Sequence, residues 1–252
     1  MRPTERFSSR ADNYARFRPG YPGAALALLE ARCRLRPGAV VADLGSGTGI
    51  LTALLLARGA QVLAIEPNDA MRAAAESALG GEPRFVSIKA TAESTTLAAA
   101  SVDLLVAGQA FHWFNVPRAR AEALRVARPG AAAALLWNER PASANLFLED
   151  YEQLLLRHAA DYASIRASRA DAAAMRAFLG GTMECASFPN EQRLDFAGLE
   201  GRLMSSSYAP EPGHPQHAPM LAGLRALFER HAQQGYVVFP YQTLVYFGPL
   251  RP

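Results

Sequence analysis

Hydrophobic and polar positions along the first 140 residues alternate between two patterns. Short, nearly continuous apolar runs, typical of buried parallel strands, are separated by longer stretches with apolar residues at helical spacing. The pattern predicts strands at 39–44, 61–66, 84–89, 102–108 and 133–137, and helices at 22–34, 50–58, 68–79 and 116–127. Strands that alternate with crossover helices form a sheet covered on both faces. We therefore predict a doubly wound α/β core.

The pattern changes after Asn138. Residues 145–160 and 171–179 have amphipathic helical spacing with no strand-like run between them. Further along, the sequence predicts strands at 192–196 and 236–247, helices at 197–205 and 219–233, and an extended loop at 208–219. We predict a Rossmann-like, mostly parallel seven-stranded sheet in four parts: an N-terminal segment (1–22), the core (23–140), a helical cap (141–190) and C-terminal strands and helices that complete the sheet (191–252).

A glycine-rich loop, DLGSGTG at 43–49, joins the first predicted strand to the following helix. Glycines in this position allow backbone N–H groups to approach a ligand at the helix N-terminus. Their GxGxG spacing differs from the GxGxxG of dinucleotide sites, because Ile50 stands where the third glycine would lie. This disfavours a nicotinamide-dependent oxidoreductase but leaves it as an alternative. The loop suits a ligand with a ribose and a small zwitterionic arm, and Glu66 at the second strand end can accept both ribose hydroxyls.

The DLGSGTG loop and the acid after the second strand resemble class I S-adenosylmethionine-dependent methyltransferases. Five further segments extend the similarity over nearly the whole chain, least between about 142 and 190: FSSRADNYARFRPGYP (7–22), GQAFHWF (108–114), LRVARPGAAAALLWNER (124–140), LEGRLMSSSYAP (199–210) and VVFPYQTLVYFG (237–248). They resemble the small-molecule (type 11) methyltransferases related to trans-aconitate methyltransferase. The resemblance implies that residues 1–22 form a lid, that S-adenosylmethionine is the cofactor and that S-adenosylhomocysteine is the product.

The resemblance also implies a role for each cofactor residue. The glycines lie under the methionyl and ribose parts, Glu66 binds the ribose, Asn68 and its neighbours flank the adenine, and Arg18 pairs with the methionyl carboxylate. Thr91 stands where the family commonly has an acid, so that the Ala92 backbone or Glu93 substitutes for it. The predicted cofactor-binding residues are Tyr14, Arg18, Gly45, Ser46, Gly47, Gly49, Glu66, Pro67, Met71, Thr91, Ala92, Glu93 and Gln109.

The methyl acceptor is expected at the carboxyl edge of the sheet, beside the fourth predicted strand. His112 and Trp113 leave that strand and are the predicted catalytic or positioning residues. A hydroxyl or ring-nitrogen acceptor would use a base such as His112, whose ordinary pKa of about 6.5 suits the task, although His112 could equally pin the loop. A carboxylate acceptor is already ionised and would instead need arginines. The predicted substrate-binding residues are Tyr21, His112, Trp113, Arg140 and Tyr208.

Composition and charge limit the classes of partner that this protein is expected to bind. The 26 basic and 23 acidic residues give a net charge of +3, and the arginines are spread without runs, so a nucleic-acid partner is not expected. No apolar run approaches the roughly 20 residues of a membrane span, and the first ten residues lack a secretory signal. The two isolated cysteines fit a cytoplasmic protein weakly. We expect a small-molecule acceptor as partner.

Several polar residues of the predicted cap and loop are weaker candidates. His158, Arg166, His214 and His217 lie where substrate selectivity is expected, but each alone is typical of a protein surface. His214 and His217 with Glu211 lack a fixed third ligand, so no metal is predicted. The leading hypothesis is a methyltransferase that acts on an oxygen, nitrogen or carbon of a small molecule. A non-catalytic S-adenosylmethionine-binding protein is the other alternative.

Overall fold

The computed structural model describes residues 10–163 and 171–250. Within them a seven-stranded sheet has the strand order 3-2-1-4-5-7-6. The first five strands are parallel, and the seventh runs antiparallel to the fifth and the sixth. The strands are β1 (Val40–Leu44), β2 (Gln61–Ile65), β3 (Phe85–Ile88), β4 (Val102–Gly108), β5 (Ala127–Glu139), β6 (Glu184–Leu194) and β7 (Val237–Pro249). The predicted doubly wound, mostly parallel sheet is confirmed.

Helices cover both faces of this sheet. Several helices begin at a residue whose side-chain oxygen accepts a backbone N–H group of the first turn, which fixes the start of the helix. These capping residues are Asn68, Asn115, Asn145, Asp171 and Asp195. The helices are α1 (Ala11–Phe17), α2 (Gly23–Arg32), α3 (Ile50–Ala57), α4 (Asp69–Leu79), α5 (Val116–Val126), α6 (Leu146–His158), α7 (Ala172–Leu179), α8 (Phe196–Met204) and α9 (His217–His231). None of the helices in the described ranges is long and apolar enough to cross a membrane.

The apolar core has three parts. One lies between the sheet and α2 and α3, and the second lies on the opposite face under α5 and α7. The third joins α6, α8 and α9 to the first half of β7, with Tyr151 and Phe239 fully buried in it. This third part forms a helical layer beside the carboxyl edge of the sheet, where the two cavities described below lie.

The helical cap predicted at 141–190 has different bounds and composition in the structure. α7 packs against α5 and β7 on the sheet rather than joining α6. In the helical layer α6 packs on α9, and α8 belongs to the same apolar cluster. Both α8 and α9 lie beyond the predicted cap. β6 starts at Glu184 instead of 192, because this edge strand alternates half-buried and exposed side chains and lacks the apolar run of a central strand.

The N-terminal segment crosses the carboxyl edge of the sheet. α1 packs on α8 and α4. The Gly20 carbonyl accepts hydrogen bonds from the side-chain amides of Asn138 on β5 (3.0 Å) and Asn190 on β6 (2.9 Å). A Cβ at Gly108 would lie 2.5 Å from the Tyr21 hydroxyl, so glycine at the end of β4 permits this close approach. The described part of the segment therefore lies over the ends of the central strands.

Candidate functional site

The loop after β1 is held in one shape by its glycines. Gly45, Gly47 and Gly49 all have positive φ values, of 68°, 58° and 85°. A Cβ on Gly45 would lie 2.6 Å from the Cβ of Ala110, a distance that packed atoms do not adopt. The Gly45 and Ser46 N–H groups donate to the Ile65 carbonyl of β2, at 2.9 and 3.1 Å. The loop therefore leaves the sheet in a fixed direction and brings its backbone close to the segment that follows β4.

Glu66 ties this loop to the end of β2. One carboxylate oxygen accepts the Gly47 N–H (2.9 Å) and the other accepts the Asn68 N–H (2.8 Å). The residue is only 8% exposed, and burial raises its pKa against the lowering effect of these two backbone bonds. The carboxylate oxygens of Glu66 are thus fixed between the glycine loop after β1 and the turn after β2.

A cavity of about 230 Å³, here called the Glu66 cavity, opens beside this carboxylate. The ends of β1 to β4 and the turn after β4 enclose it. The Glu93 carboxylate at its wall accepts the Asn115 N–H at 2.8 Å. The lining residues are Tyr14, Gly45, Gly47, Glu66, Pro67, Asn68, Met71, Thr91, Ala92, Glu93, Gly108, Gln109, Ala110, Trp113 and Phe114. A flat, partly apolar ligand with hydroxyls near Glu66 fits this lining.

A second, smaller cavity adjoins the first and is here called the arginine cavity. The two share Tyr14, Gly45, Gly47, Gly108 and Gln109 in their walls. Gln109 has a positive φ of 58°, which is unusual for this residue type, and its side-chain amide donates to the Asn138 carbonyl. The remaining walls come from distant parts of the chain: Arg18, Pro19, Tyr21, Asp43, Ser46, Thr48, Ile50, Leu51, Asn138, Arg140, Arg202, Tyr208 and Tyr241.

Three arginines and one tyrosine of this cavity form what we call the arginine cluster: Arg18, Arg140, Arg202 and Tyr208. Arg202 is only 5% exposed, and its guanidinium donates to the Tyr241 hydroxyl (2.9 Å) and to the Ser206 hydroxyl (3.2 Å). Arg18 donates to the Ser205 carbonyl (2.9 Å) and stacks over the Tyr14 ring. All these partners of Arg18 and Arg202 are uncharged.

The positive charge of the cluster exceeds the negative charge around it. Arg140 forms an ion pair with the Glu152 carboxylate and also donates to the Tyr162 hydroxyl. In the described part of the chain, Arg18 and Arg202 are paired with no carboxylate. Burial and the charge of Arg202 lower the pKa of Arg18 to about 10. Because buried charges of one sign are costly without a counter-ion, the cavity favours an anionic ligand.

Asp43 provides a negative group on the opposite wall, at the end of β1. It is 1% exposed, and one oxygen accepts the Thr52 hydroxyl at 2.7 Å. The other oxygen has no hydrogen-bond partner among the described residues. Burial raises the pKa of Asp43 to about 7. A ligand amine or other cation beside Asp43 would satisfy this oxygen and favour its ionised form.

The structure brings most of the predicted residues together. Every predicted cofactor-binding residue except Gly49 lines one of the two cavities. A Cβ on Gly49 would instead contact Leu79 and Ala75, so that this glycine allows α3 and α4 to pack closely. Of the predicted substrate residues, Tyr21, Arg140 and Tyr208 line the arginine cavity, and Trp113 lines the Glu66 cavity.

His112 does not lie where a catalytic base is expected. The His112 side chain lines neither of the two cavities found among the described residues. Its ring packs on the Trp113 ring, and the two centroids lie 4.6 Å apart. Asp43, Arg202 and Tyr241 were not predicted as site residues, although they line the arginine cavity. The sequence holds one signal for Arg202, because it lies between Leu199 and Leu203 on the buried side of α8.

The weaker candidates lie away from both cavities. The His158 ring is hydrogen-bonded to the Gln216 side chain (2.7 Å), His214 to the Gln216 N–H (3.1 Å) and His217 to the Pro210 carbonyl (2.8 Å). Arg166 lies outside the described residues. In residues 10–163 and 171–250 there is no group of three or more side chains that could hold a metal ion.

The strand order, the glycine loop and the acid after β2 define a Rossmann-like fold of the class I S-adenosylmethionine-dependent methyltransferases. Residues 42–135 match the family model described as a methyltransferase domain, of type 11. This segment therefore belongs to that domain family, and the fold around it is that of the same class.

Similar proteins agree with this assignment. An uncharacterized methyltransferase of Mycobacterium tuberculosis is 42% identical over 135 residues, which cover 53% of this chain and 52% of the relative. The chain thus spans about half the length of the curated relatives of this group that it matches. A malonyl-[acyl-carrier protein] O-methyltransferase of Methylococcus capsulatus is 37% identical over 101 residues, or 39% of this chain and 37% of that one.

Two solved structures share the fold. A protein of Anaeromyxobacter dehalogenans, described as a candidate type II methyltransferase, has a TM-score of 0.67 and 25% identity, covering 94% of this chain and 99% of that chain. Phosphoethanolamine N-methyltransferase 2 of Haemonchus contortus has a TM-score of 0.56 and 12% identity, covering 97% of this chain and 57% of that one. At the latter identity the likeness concerns the fold alone.

Proposed function

We propose that this protein transfers a methyl group from S-adenosylmethionine to a small-molecule acceptor that carries an acidic group. The observation that carries this proposal is the pair of adjoining cavities at the carboxyl edge of the sheet. One is lined by the glycine loop and Glu66, and the other by three arginines. Open α/β sheets bind ligands at this edge, so both reactants would meet beside the shared residue Gln109.

The described residues fit the cofactor in three respects. The Glu66 carboxylate oxygens, fixed by two backbone N–H groups, suit the ribose hydroxyls. Pro67 and Met71 line the same cavity and would flank the adenine. The free oxygen of Asp43 suits the amino group, and Arg18 suits the carboxylate of the methionyl part. A neutral glycine loop alone would not select this zwitterionic end.

S-adenosylmethionine held by Glu66, Asp43 and Arg18 would supply a methyl group on a sulfonium, and the electron pair of the S–C bond would stay on sulfur as the acceptor lone pair formed the new bond. The protein contributes position and the exclusion of water. Tyr14 lines both cavities and Tyr21 lies against Gly108, so the N-terminal segment would cover the reacting atoms. These aromatic rings orient the two ligands in one enclosed space.

The arginine cluster favours an acid as acceptor. Arg202 and Arg140 present buried guanidinium groups to the second cavity, and a guanidinium binds a carboxylate through two parallel hydrogen bonds. An ionised carboxylate needs no general base. The position of His112 outside both cavities agrees with this chemistry.

Calorimetry with S-adenosylmethionine tests the cofactor half of the proposal. We expect the wild type to bind, and Glu66→Ala to bind at least about 30-fold more weakly, because it loses two charge-assisted hydrogen bonds. Glu82→Ala is the matched control, since it removes a partly exposed acid that pairs with nearby Arg84 and lines neither cavity. Absence of binding by the wild type, together with tight binding of a nicotinamide cofactor, would revive the oxidoreductase alternative.

Mass spectrometry of methylated products tests the acceptor half. Isotope-labelled S-adenosylmethionine is offered with a panel of small carboxylic acids and with the amide of each acid. We expect product from one or more acids and none from the matched amides. Cofactor binding with no product from any acid, phenol or amine would instead indicate a non-catalytic binding protein.

A further inference from the structure

Tyr208 has an unusual position for a tyrosine. It follows α8, is 8% exposed and packs edge-on against the Tyr162 ring, with the centroids 5.0 Å apart. Its side chain lines the arginine cavity together with Arg18, Arg140 and Arg202. The hydroxyl is therefore surrounded by positively charged groups and separated from bulk water.

The other charged and titratable groups near Tyr208 come from every element packed around it. Arg18 follows α1, Arg140 follows β5 and Arg202 lies on α8. On α6, Glu152 is engaged by Arg140 and by the Tyr162 hydroxyl. Tyr14 on α1, Tyr151 on α6 and Tyr241 on β7 complete the surroundings. Asp43 lies on the opposite wall of the same cavity. Three positive charges thus face two carboxylates, of which Glu152 is already paired with Arg140.

We propose that Tyr208, in its phenolate form, is the internal counter-ion of the arginine cluster, and that an acidic ligand replaces its charge, so that Tyr208 takes up one proton from solvent as the acid binds. This inference rests on the proposed acid-binding role of the same cavity. Only a proton moves, from solvent to the phenolate oxygen, and no covalent bond of the ligand changes. Tyr208 then acts as a specificity-determining residue, because a neutral ligand cannot replace the phenolate charge.

The ionisation behaviour of the tyrosines supports this assignment. Burial alone would raise the pKa of Tyr208, but Arg140, Arg202 and Arg18 lower it to about 7. Burial raises the pKa of Tyr162 to about 12, despite the nearby charge of Arg140, and raises that of Tyr151 as well. Of Tyr208, Tyr162 and Tyr151, Tyr208 is thus the one whose pKa the arginines lower towards neutrality.

A pH dependence follows with a definite sign. Below about pH 7 Tyr208 is protonated, and the arginines are available to an anion. Above it the phenolate competes with the ligand, so affinity for an acid decreases by up to about tenfold per pH unit, the slope for one linked proton. Replacement of Tyr208 by phenylalanine removes the competitor. The variant is therefore expected to bind anions more tightly than the wild type at alkaline pH.

Near-ultraviolet absorbance of tyrosinate measures the ionisation directly, and calorimetry measures the linked binding. Sulfate is the probe, because its charge does not change from about pH 6 to about pH 9. It is titrated first without and then with S-adenosylhomocysteine, whose own carboxylate is expected at Arg18. We expect the difference between wild type and Tyr208→Phe to show one tyrosinate with a midpoint near pH 7. Sulfate moves that midpoint to higher pH in the wild type. In the variant its affinity depends less on pH, because Asp43 is then the remaining group of the cavity that titrates near pH 7.

Tyr151→Phe is the matched control. Tyr151 is fully buried over Arg140, and its hydroxyl has no hydrogen-bond partner among the described residues. This variant should keep both the midpoint near neutrality and the sulfate shift. A wild type without a titrating tyrosine below about pH 9, or a midpoint that sulfate leaves unchanged, overturns the inference. The titration without ligand requires no cofactor, so its result is independent of whether S-adenosylmethionine binds.

Discussion

The two cavities of the site are built in different ways. The Glu66 cavity comes mostly from the turns after β1 to β4, and its main fixed polar groups are loop backbone and two carboxylates, of Glu66 and Glu93, held by backbone N–H groups. The arginine cavity takes side chains from as far apart as Arg18 and Tyr241, and its polarity is concentrated in guanidinium and hydroxyl groups. The polar groups of the first cavity are therefore fixed by the main chain, whereas the charge of the second depends on single side chains.

For the proposed methyl transfer, this difference would separate the binding of the cofactor from the binding of the acceptor. A cavity whose polar groups are held by the main chain suits a ligand that never varies, such as a cofactor. A cavity whose charge resides in side chains can be adapted to a new acceptor without disturbing the sheet. Mutations on the two sides are accordingly expected to have separable effects, and the predictions below test that separation.

The largest expected effect is on the backbone-lined side, with Gly45→Ala. The added Cβ would lie 2.6 Å from Ala110 on a residue with a φ of 68°, so strain and overlap both act. We expect the free energy of unfolding to fall by about 3 kcal/mol in chemical denaturation, and cofactor affinity to fall with it. Gly47→Ala is the control, because its φ is also positive but nothing lies within 4 Å of its Cβ. That variant should lose only about 1 kcal/mol, and equal losses in both would contradict the close-contact explanation.

The next largest effect is expected on the other side, with Arg202→Met. Methyl transfer to an acid should fall about 100-fold in kcat/KM, a loss of about 2.7 kcal/mol, while the dissociation constant for S-adenosylmethionine stays within about twofold. Arg193→Met is the control, since this exposed arginine lines neither of the two site cavities. Arg202→Lys keeps the charge but not the paired donors, and should recover only part of the activity. A parallel loss of cofactor affinity would show that the two sides are not separable.

The same contrast explains which site residues and elements can be predicted from the sequence. Gly45, Glu66 and their neighbours were predictable because their positions follow from local pattern, at the end of one strand and the start of one helix. Arg202 and Asp43 were not, since their roles depend on which distant segments meet. The sequence predicts a start at 192 for β6, rather than at Glu184, because its alternating polar edge sequence lacks the signal of a buried strand. The sequence predicts α7 as a helix, but only tertiary packing decides that it covers α5 rather than α6.

The smallest effect is expected for His112→Ala. The side chain packs on Trp113 and lines neither cavity, so its removal should alter kcat/KM for an acid by less than about threefold. Trp113→Ala is the comparison, because Trp113 lines the Glu66 cavity and its loss should weaken cofactor binding measurably by calorimetry. A 100-fold loss of kcat in His112→Ala, with the wild-type rate rising through a pKa of about 6.5, would identify His112 as a general base. The acceptor would then carry a proton at its nucleophilic atom, and the arginine cluster would bind a different group of the same molecule.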